Sequence, residues 1–361
     1  MTKEQLARIW LQCAPMGAWN KLSALKERLG GAAGVWDHFT PALYEYLGEA
    51  VFTRLADTRA NRCGPILRQL EALEARPFFL GEAGYPALLS AIAHPPDVLF
   101  CRGTLPPEGV PAIAVVGSRS NTRYGGAQAR RIARELAERG VTVISGLARG
   151  IDAAAHLGAL EGGGRTVAVL GCGVGRQYPP ENKELAGRIL AGGGAIVSEL
   201  APDEMPLAYH FPVRNRIIAG LSNGVLLIEA RLKSGTHSTV NYALDQGREV
   251  FALPGNVDAP GSELPLALLK EGAGLCTCGA DICSAMGWAE KKNIQSSFLE
   301  ESPPEENDPI LRALAREEKT LEELLAETGL PVDALNTQLT LLEINGQVER
   351  RAGRAYARAN T

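Results

Sequence analysis

From about residue 110 to 288 the chain switches repeatedly between two kinds of pattern, and this restricts the fold more than anything else in it. Short apolar runs (Ala112–Val116, Val141–Ser145, Thr166–Leu170, Ala195–Glu199, Val225–Glu229 and Glu249–Leu253) alternate with stretches of helical periodicity near 124–139, 151–161, 181–191, 213–220, 236–246 and 263–272. The runs lack two-residue alternation, as expected for strands covered on both faces. Repeated strand–helix–strand units predict a parallel, doubly wound α/β sheet. In such sheets ligands bind beyond the carboxyl ends of the strands. The loops that follow the runs are therefore the places to search for chemistry.

Four of these loops combine small residues, hydroxyls and guanidinium groups: Gly117-Ser118-Arg119, Ser145-Gly146-Leu147-Ala148-Arg149-Gly150, Phe211-Pro212-Val213-Arg214-Asn215-Arg216 and Ser234-Gly235-Thr236. Glycine lets the backbone approach a ligand, helix N-termini favour anions, and Arg forks onto phosphate oxygens. Phe211 beside Arg214, Asn215 and Arg216 adds a ring on which a base can stack. Arg214 and Arg216 lie two apart and cannot share a helical face; one is expected at the ligand and the other in a packing or pairing role. Asp152 reads as the N-cap of its helix, and Thr236 as another. Gly171-Cys172-Gly173-Val174-Gly175 imitates a dinucleotide fingerprint, with Glu199 available for a ribose, but its spacing to the next helix is wrong.

Other classes are disfavoured. No G-x-x-x-x-G-K-[ST] occurs, and the five His form no catalytic constellation. Cys276, Cys278 and Cys283 fall short of the paired four-ligand spacing of a zinc site. No cofactor is implied. The odd count of seven Cys, with no secretion signal and no long apolar run, predicts a reduced cytoplasmic setting and no membrane segment. At a net charge of -4, any nucleic-acid binding must come from a local basic patch.

Residues 1–75 read as a helical domain (SAM or helix-hairpin-helix-like), suited to DNA contact or to protein packing, with Leu6, Ile9, Trp10, Leu22, Leu25 and Leu29 at helical spacing. The segment 77–103 reads as an edge element packed on the domain spanning 76–288, and the acidic, Pro-containing stretch 289–308 as a linker. Residues 309–361 carry a three-helix-and-hairpin pattern, a winged helix. Its third helix, Val332 to Ile344, has no Lys or Arg and carries Asp333 and Glu343, whereas the wing region is basic, with Arg350, Arg351, Arg354 and Arg358. A protein-contact or regulatory role follows, since a groove-reading helix wants donors.

On Val115-Val116-Gly117-Ser118-Arg119, Ser145 to Asp152, Tyr178-Pro179-Pro180-Glu181-Asn182, Phe211 to Ser222, Ser234-Gly235-Thr236 and Gly247 to Gly255, the chain resembles the DNA-processing protein A family (DprA, also called Smf). The resemblance covers about 77 to 288 and extends to both flanks. It implies an extended Rossmann-like domain that binds single-stranded DNA and forms a homodimer, a non-enzymatic mediator that protects incoming DNA in natural transformation and promotes loading of the RecA recombinase. It also implies that Arg119, Arg149, Asn182, Lys183, Phe211, Arg214, Asn215 and Arg216 fall at DNA-contacting loops. The sequence departs from the family's pattern at Gly261-Ser262-Glu263-Leu264-Pro265-Leu266, where a Thr-Asn pair is expected. A second reading is a phosphoribohydrolase-type enzyme acting on a nucleotide-like small molecule. Against it, Lys233 to Thr239 lacks the glycine pair and the Glu of that loop.

Overall fold

The computed structural model describes residues 1–288, 308–314, 317–344, 347–351 and 355–358, so nearly all of the expected linker and the hairpin's Arg354 lie outside the described residues. The chain divides into two compact units, Met1–Lys291 and Lys292–Thr361.

The first unit is built on nine strands: β1 Ala75–Phe79, β2 Val98–Gly103, β3 Ala112–Val116, β4 Thr142–Ser145, β5 Thr166–Val169, β6 Ala195–Ser198, β7 Gly224–Leu227, β8 Glu249–Ala252 and β9 Gly274–Leu275. Their order is β1-β2-β6-β5-β4-β3-β7-β8-β9. Every pair from β6 to β9 is parallel, while β1–β2 and β2–β6 are antiparallel. The expected doubly wound sheet is therefore present, with helices on both faces. One face buries Leu99, Ala114, Val116, Val167, Val197, Leu227 and Ile217. The other buries Ile113, Val115, Val143, Leu226, Ile132, Leu136 and Ala155. Both faces being covered explains why these strands read as continuous apolar runs.

Two elements correct the expected layout. The run Val98-Leu99-Phe100 belongs to β2, which lies inside the sheet between β6 and β1, with Phe100 opposite Ser198 and Pro77. The outer strand is β1, and Pro77 fits there because an edge strand leaves donors unused. Glu199 and Glu229, expected as strand ends, fall just beyond β6 and β7.

The N-terminal helices cover that antiparallel edge. Thr2 and Gln5 form a capping box on the helix Lys3–Gln12, and Gly30, at φ 75°, ends the helix Trp19–Leu29 in the left-handed conformation. Ile9 and Cys13 share a core with Ile66, Phe79, Val98, Phe100 and Val174. Trp10 is fully buried and donates through Nε1 to the Leu55 carbonyl at 2.7 Å.

The second unit has helices Pro309–Ala313, Leu321–Thr328 and Val332–Ile344 and a three-stranded sheet ordered β10-β12-β11, with β10 Lys319–Thr320, β11 Val348–Arg350 and β12 Ala355–Arg358. Ile310, Leu324, Leu335, Leu339, Val348 and Tyr356 form its core. This is the expected winged-helix arrangement. No helix among the described residues is long and apolar enough to cross a membrane.

Candidate functional site

The chain runs from β3 outward through β4, β5 and β6, then returns to lay β7 against the other side of β3. The loops after β3 and β7 therefore part at a topological switch point, where open sheets place their ligands. A cleft of about 830 Å³ opens there, and all four sequence-predicted loops contribute to its wall.

The Gly117 loop is fixed from below. Ser118 N–H donates to the Glu229 carbonyl at 2.7 Å. A Cβ on Gly117 would lie 2.7 Å from Ile151 Cγ1, so no larger residue fits. The Glu229 carboxylate accepts from Thr122 N–H at 2.9 Å and from the Thr122 hydroxyl, which closes the start of the helix Arg123–Glu138. Arg119 is exposed above this frame, and its guanidinium lies 5.1 Å from the centroid of the Phe211 ring.

The loop after β4 corrects the expected role of Asp152. The N-cap is Gly150, at φ 80°; Asp152 lies inside the first turn and folds back to accept from Gly146 N–H at 3.1 Å and Ala148 N–H at 3.3 Å. Gly150 is required twice over, by its positive φ and because a Cβ would lie 2.3 Å from the Ser118 carbonyl. Burial raises the Asp152 carboxyl above its ordinary pKa, opposed by the nearby Arg214 and by the donors that hold it. Arg149 is exposed and paired with Glu181.

Phe211, Arg214, Asn215 and Arg216 all lie in the helix His210–Gly220, and they divide as the two-residue offset of the arginines requires. Arg216 is buried and forks onto Glu199, at 2.7 and 2.6 Å. Glu199 is thus an ion-pair partner and not a ribose ligand. Arg214 is also buried, yet it lines the cleft floor; Nη1 donates to the Val169 carbonyl, and Nε is buried with no partner. Burial lowers its pKa to about 10. A Cβ on Gly146 would lie 2.1 Å from Arg214 Nη1, so that glycine makes room for the guanidinium. Asn215 Nδ2 donates to Ser238 Oγ at 2.8 Å. Phe211 is half-buried on Gly171, where a Cβ would meet its ring at 2.8 Å.

The same packing accounts for the remaining glycines of the imitation fingerprint. A Cβ on Gly173 would lie 2.1 Å from the Ala201 carbonyl, and one on Gly175 2.8 Å from the Pro202 carbonyl. The motif serves close loop packing. Thr236 occupies an N-cap position without capping through its hydroxyl. The hydroxyl instead donates to the Gly117 carbonyl at 3.2 Å and ties the two loops across the switch point. Ser234 and Gly235 line the same wall.

Six expected residues stand apart from the cleft lining: Gly146, Arg149, Gly150 and Arg216, placed above, and Asn182 and Lys183. Asn182 turns inward and donates to the Leu147 and Ala148 carbonyls at 2.9 and 3.1 Å, bracing the loop after β4. Lys183 is exposed at the start of the helix Lys183–Ala191. Conversely, the cleft includes Arg231, which none of the motifs contains, and Tyr178 and Lys233, which were not among the expected contact residues. Tyr178 lies 5.5 Å from Phe211 between ring centroids. The Tyr-Pro-Pro sequence in the loop between β5 and the helix Lys183–Ala191 was an available signal, and Arg231 and Lys233 precede Ser234 in its own loop. Four cations (Arg119, Arg214, Arg231 and Lys233) thus line the cleft against one carboxylate, Asp152.

The family described as DNA recombination-mediator protein A matches residues 76–287, and the DprA winged helix domain matches residues 296–354. The protein Smf of Escherichia coli K12 is 44% identical over 276 residues, which cover 73% of this chain and 72% of that protein. The X-ray structure of DNA processing protein A from Streptococcus pneumoniae superposes with a TM-score of 0.64 at 33% identity, covering 79% of this chain and 98% of that one. A structure of DNA processing protein A from Helicobacter pylori, described for its single-stranded DNA binding mode, gives a TM-score of 0.53 at 28% identity, with coverage of 59% and 96%. A family match over more than half of the chain, with a relative of this identity and coverage, places the chain in the DNA recombination-mediator protein A family, known as DprA or Smf.

Proposed function

We propose that this chain is a non-catalytic single-stranded DNA-binding protein that acts as a recombination mediator in the cytoplasm. It protects incoming DNA during natural transformation or DNA uptake, promotes loading of RecA, and works as a homodimer joined through its Rossmann-like domain. One observation carries the DNA reading: at the switch point the Phe211 ring lies under the Arg119 guanidinium, in a cleft where cations outnumber carboxylates four to one. A chain of net charge -4 that concentrates cations around a stacking surface is suited to a polyanion whose bases are exposed. The H. pylori relative, described as binding single-stranded DNA, supports the same ligand. Asp152, the single carboxylate lining the cleft, is already engaged by two backbone N–H groups. That favours binding over bond-breaking chemistry and disfavours the phosphoribohydrolase reading.

The test is fluorescence anisotropy with single- and double-stranded oligonucleotides over a salt series. Wild type is expected to prefer the single strand, with affinity falling steeply as salt rises. Arg119→Ala is expected to weaken binding for every sequence and to reduce the salt slope by about 1. An unchanged affinity and slope in Arg119→Ala removes this cleft as the binding site.

A further inference from the structure

We infer that Trp19, in the N-terminal helices, is a positioning residue for the cleft, acting on the helix that carries Phe211 and Arg214 through Arg216. The inference rests on the reading of the cleft as a single-stranded DNA site. Trp19 does not line the cleft; it lies at the first position of the helix Trp19–Leu29, in the N-terminal layer. Its ring stands between the His94 ring, stacked at 5.6 Å, and the Arg216 guanidinium, 4.8 Å from its centroid. Arg216 is buried, and both of its terminal nitrogens are committed to Glu199 at the end of β6. The guanidinium is therefore held in its plane by the carboxylate and on its face by the indole, a geometry that favours a ring over an aliphatic side chain. Arg216 lies two residues from Arg214 and five from Phe211 on one helix of eleven residues. A displacement of Arg216 is thus carried rigidly to both.

A second connection reaches the same helix from the same layer. Arg62 Nη2 donates to both carboxylate oxygens of Asp203, at 2.7 and 2.8 Å, and Arg54 pairs with Glu204. Asp203 and Glu204 sit on the loop between β6 and the helix His210–Gly220, and this loop also supplies Pro206 and Ala208 to the cleft wall. The N-terminal helices therefore grip the DNA-facing helix at Arg216 and the loop leading into it. Coupling of this kind is reciprocal: what Trp19 does for ligand affinity, ligand must do for the surroundings of Trp19.

The experiment uses the full chain and a labelled oligo(dT) probe. Trp19→Ala is expected to weaken binding about fivefold or more, in protein still folded at the assay temperature. Trp19→Phe, which keeps a ring over Arg216, is expected to restore wild-type affinity. In wild type, unlabelled oligo(dT) is expected to change the tryptophan emission, and that change is expected to vanish in Trp19→Phe although the oligonucleotide still binds. Wild-type affinity in Trp19→Ala, no rescue by Trp19→Phe, or an emission change that persists in Trp19→Phe each overturns the coupling. If Trp19→Ala does not fold, the emission comparison of wild type with Trp19→Phe decides alone. Loss of the coupling with wild type still binding leaves the DNA reading standing, whereas no oligo(dT) binding by wild type overturns both.

Discussion

The two units of this chain both have folds that can meet DNA, and they distribute charge in opposite ways. In the first, Arg119, Arg214, Arg231 and Lys233 converge on one cleft, and the carboxylates around it are occupied: Glu199 by Arg216, Glu229 by Thr122, Asp152 by backbone N–H groups. In the second, the helix that would enter a groove, Val332–Ile344, offers no Lys or Arg at all. One cation of its hairpin is engaged as well, since Arg351 pairs with Glu349. The difference lies in where each unit puts its cations: the first gathers four around one cleft, and the helix Val332–Ile344 of the second carries none.

The largest effect is expected in the frame of the cleft. Glu199→Ala leaves Arg216 buried without its partner, and urea unfolding of the full chain is expected to show a loss of about 3–5 kcal/mol in the first unit. A loss too small to measure would mean that the cleft does not depend on the pair. Next in size, Phe211→Ala is expected to cost about 1–3 kcal/mol of oligonucleotide binding, read by anisotropy at constant salt, with little change in salt slope. An altered slope with unaltered affinity would recast Phe211 as a packing residue.

Stability is also expected to fall in acid. His156 is fully buried; because the Thr166 hydroxyl donates to the Val143 carbonyl, it must accept from Nδ1–H at 2.7 Å, which leaves Nε2 buried without a partner. Burial, aided by Arg214, lowers its pKa from 6.5 to about 3. The neutral ring's contribution to stability is thus complete above pH 6.5 and is lost as pH falls toward 3, at up to about 1.4 kcal/mol per pH unit. Denaturant titrations across that range are expected to show the loss in wild type and a flatter profile in His156→Gln; equal profiles would refute it. The smallest effect is expected in the second unit, where Arg350→Ala combined with Arg358→Ala should leave single-strand affinity unchanged. A clear loss there would erase the contrast between the units.

The central strands were legible because burial on both faces writes itself as an apolar run, and β3 to β8 lie within a residue or two of the expected runs. β1 was not, since Pro77 and Arg76 interrupt Ala75–Phe79, and β9 has only two residues. At the site, glycines and arginines at strand ends marked the right loops. Sequence could not say which arginine faces the cleft, because that depends on Glu199, just beyond β6, reaching Arg216 on the helix His210–Gly220. Nor could it place Asp152, whose partners Gly146 and Ala148 lie behind it in the chain, toward β4 and not along its own helix.

The strand order also governs when the cleft comes into being. Thr236 meets Gly117 only after β7 has docked on β3, and these residues lie 119 positions apart in the chain. The β3–β4 and β4–β5 pairings close much shorter loops, so the half of the sheet from β3 to β6 can form while the opposite wall is still missing. A chain emerging from its N-terminus thus has the strands β3 to β6 before it has both walls of the cleft, and the proposed oligonucleotide binding would report on the docking of β7.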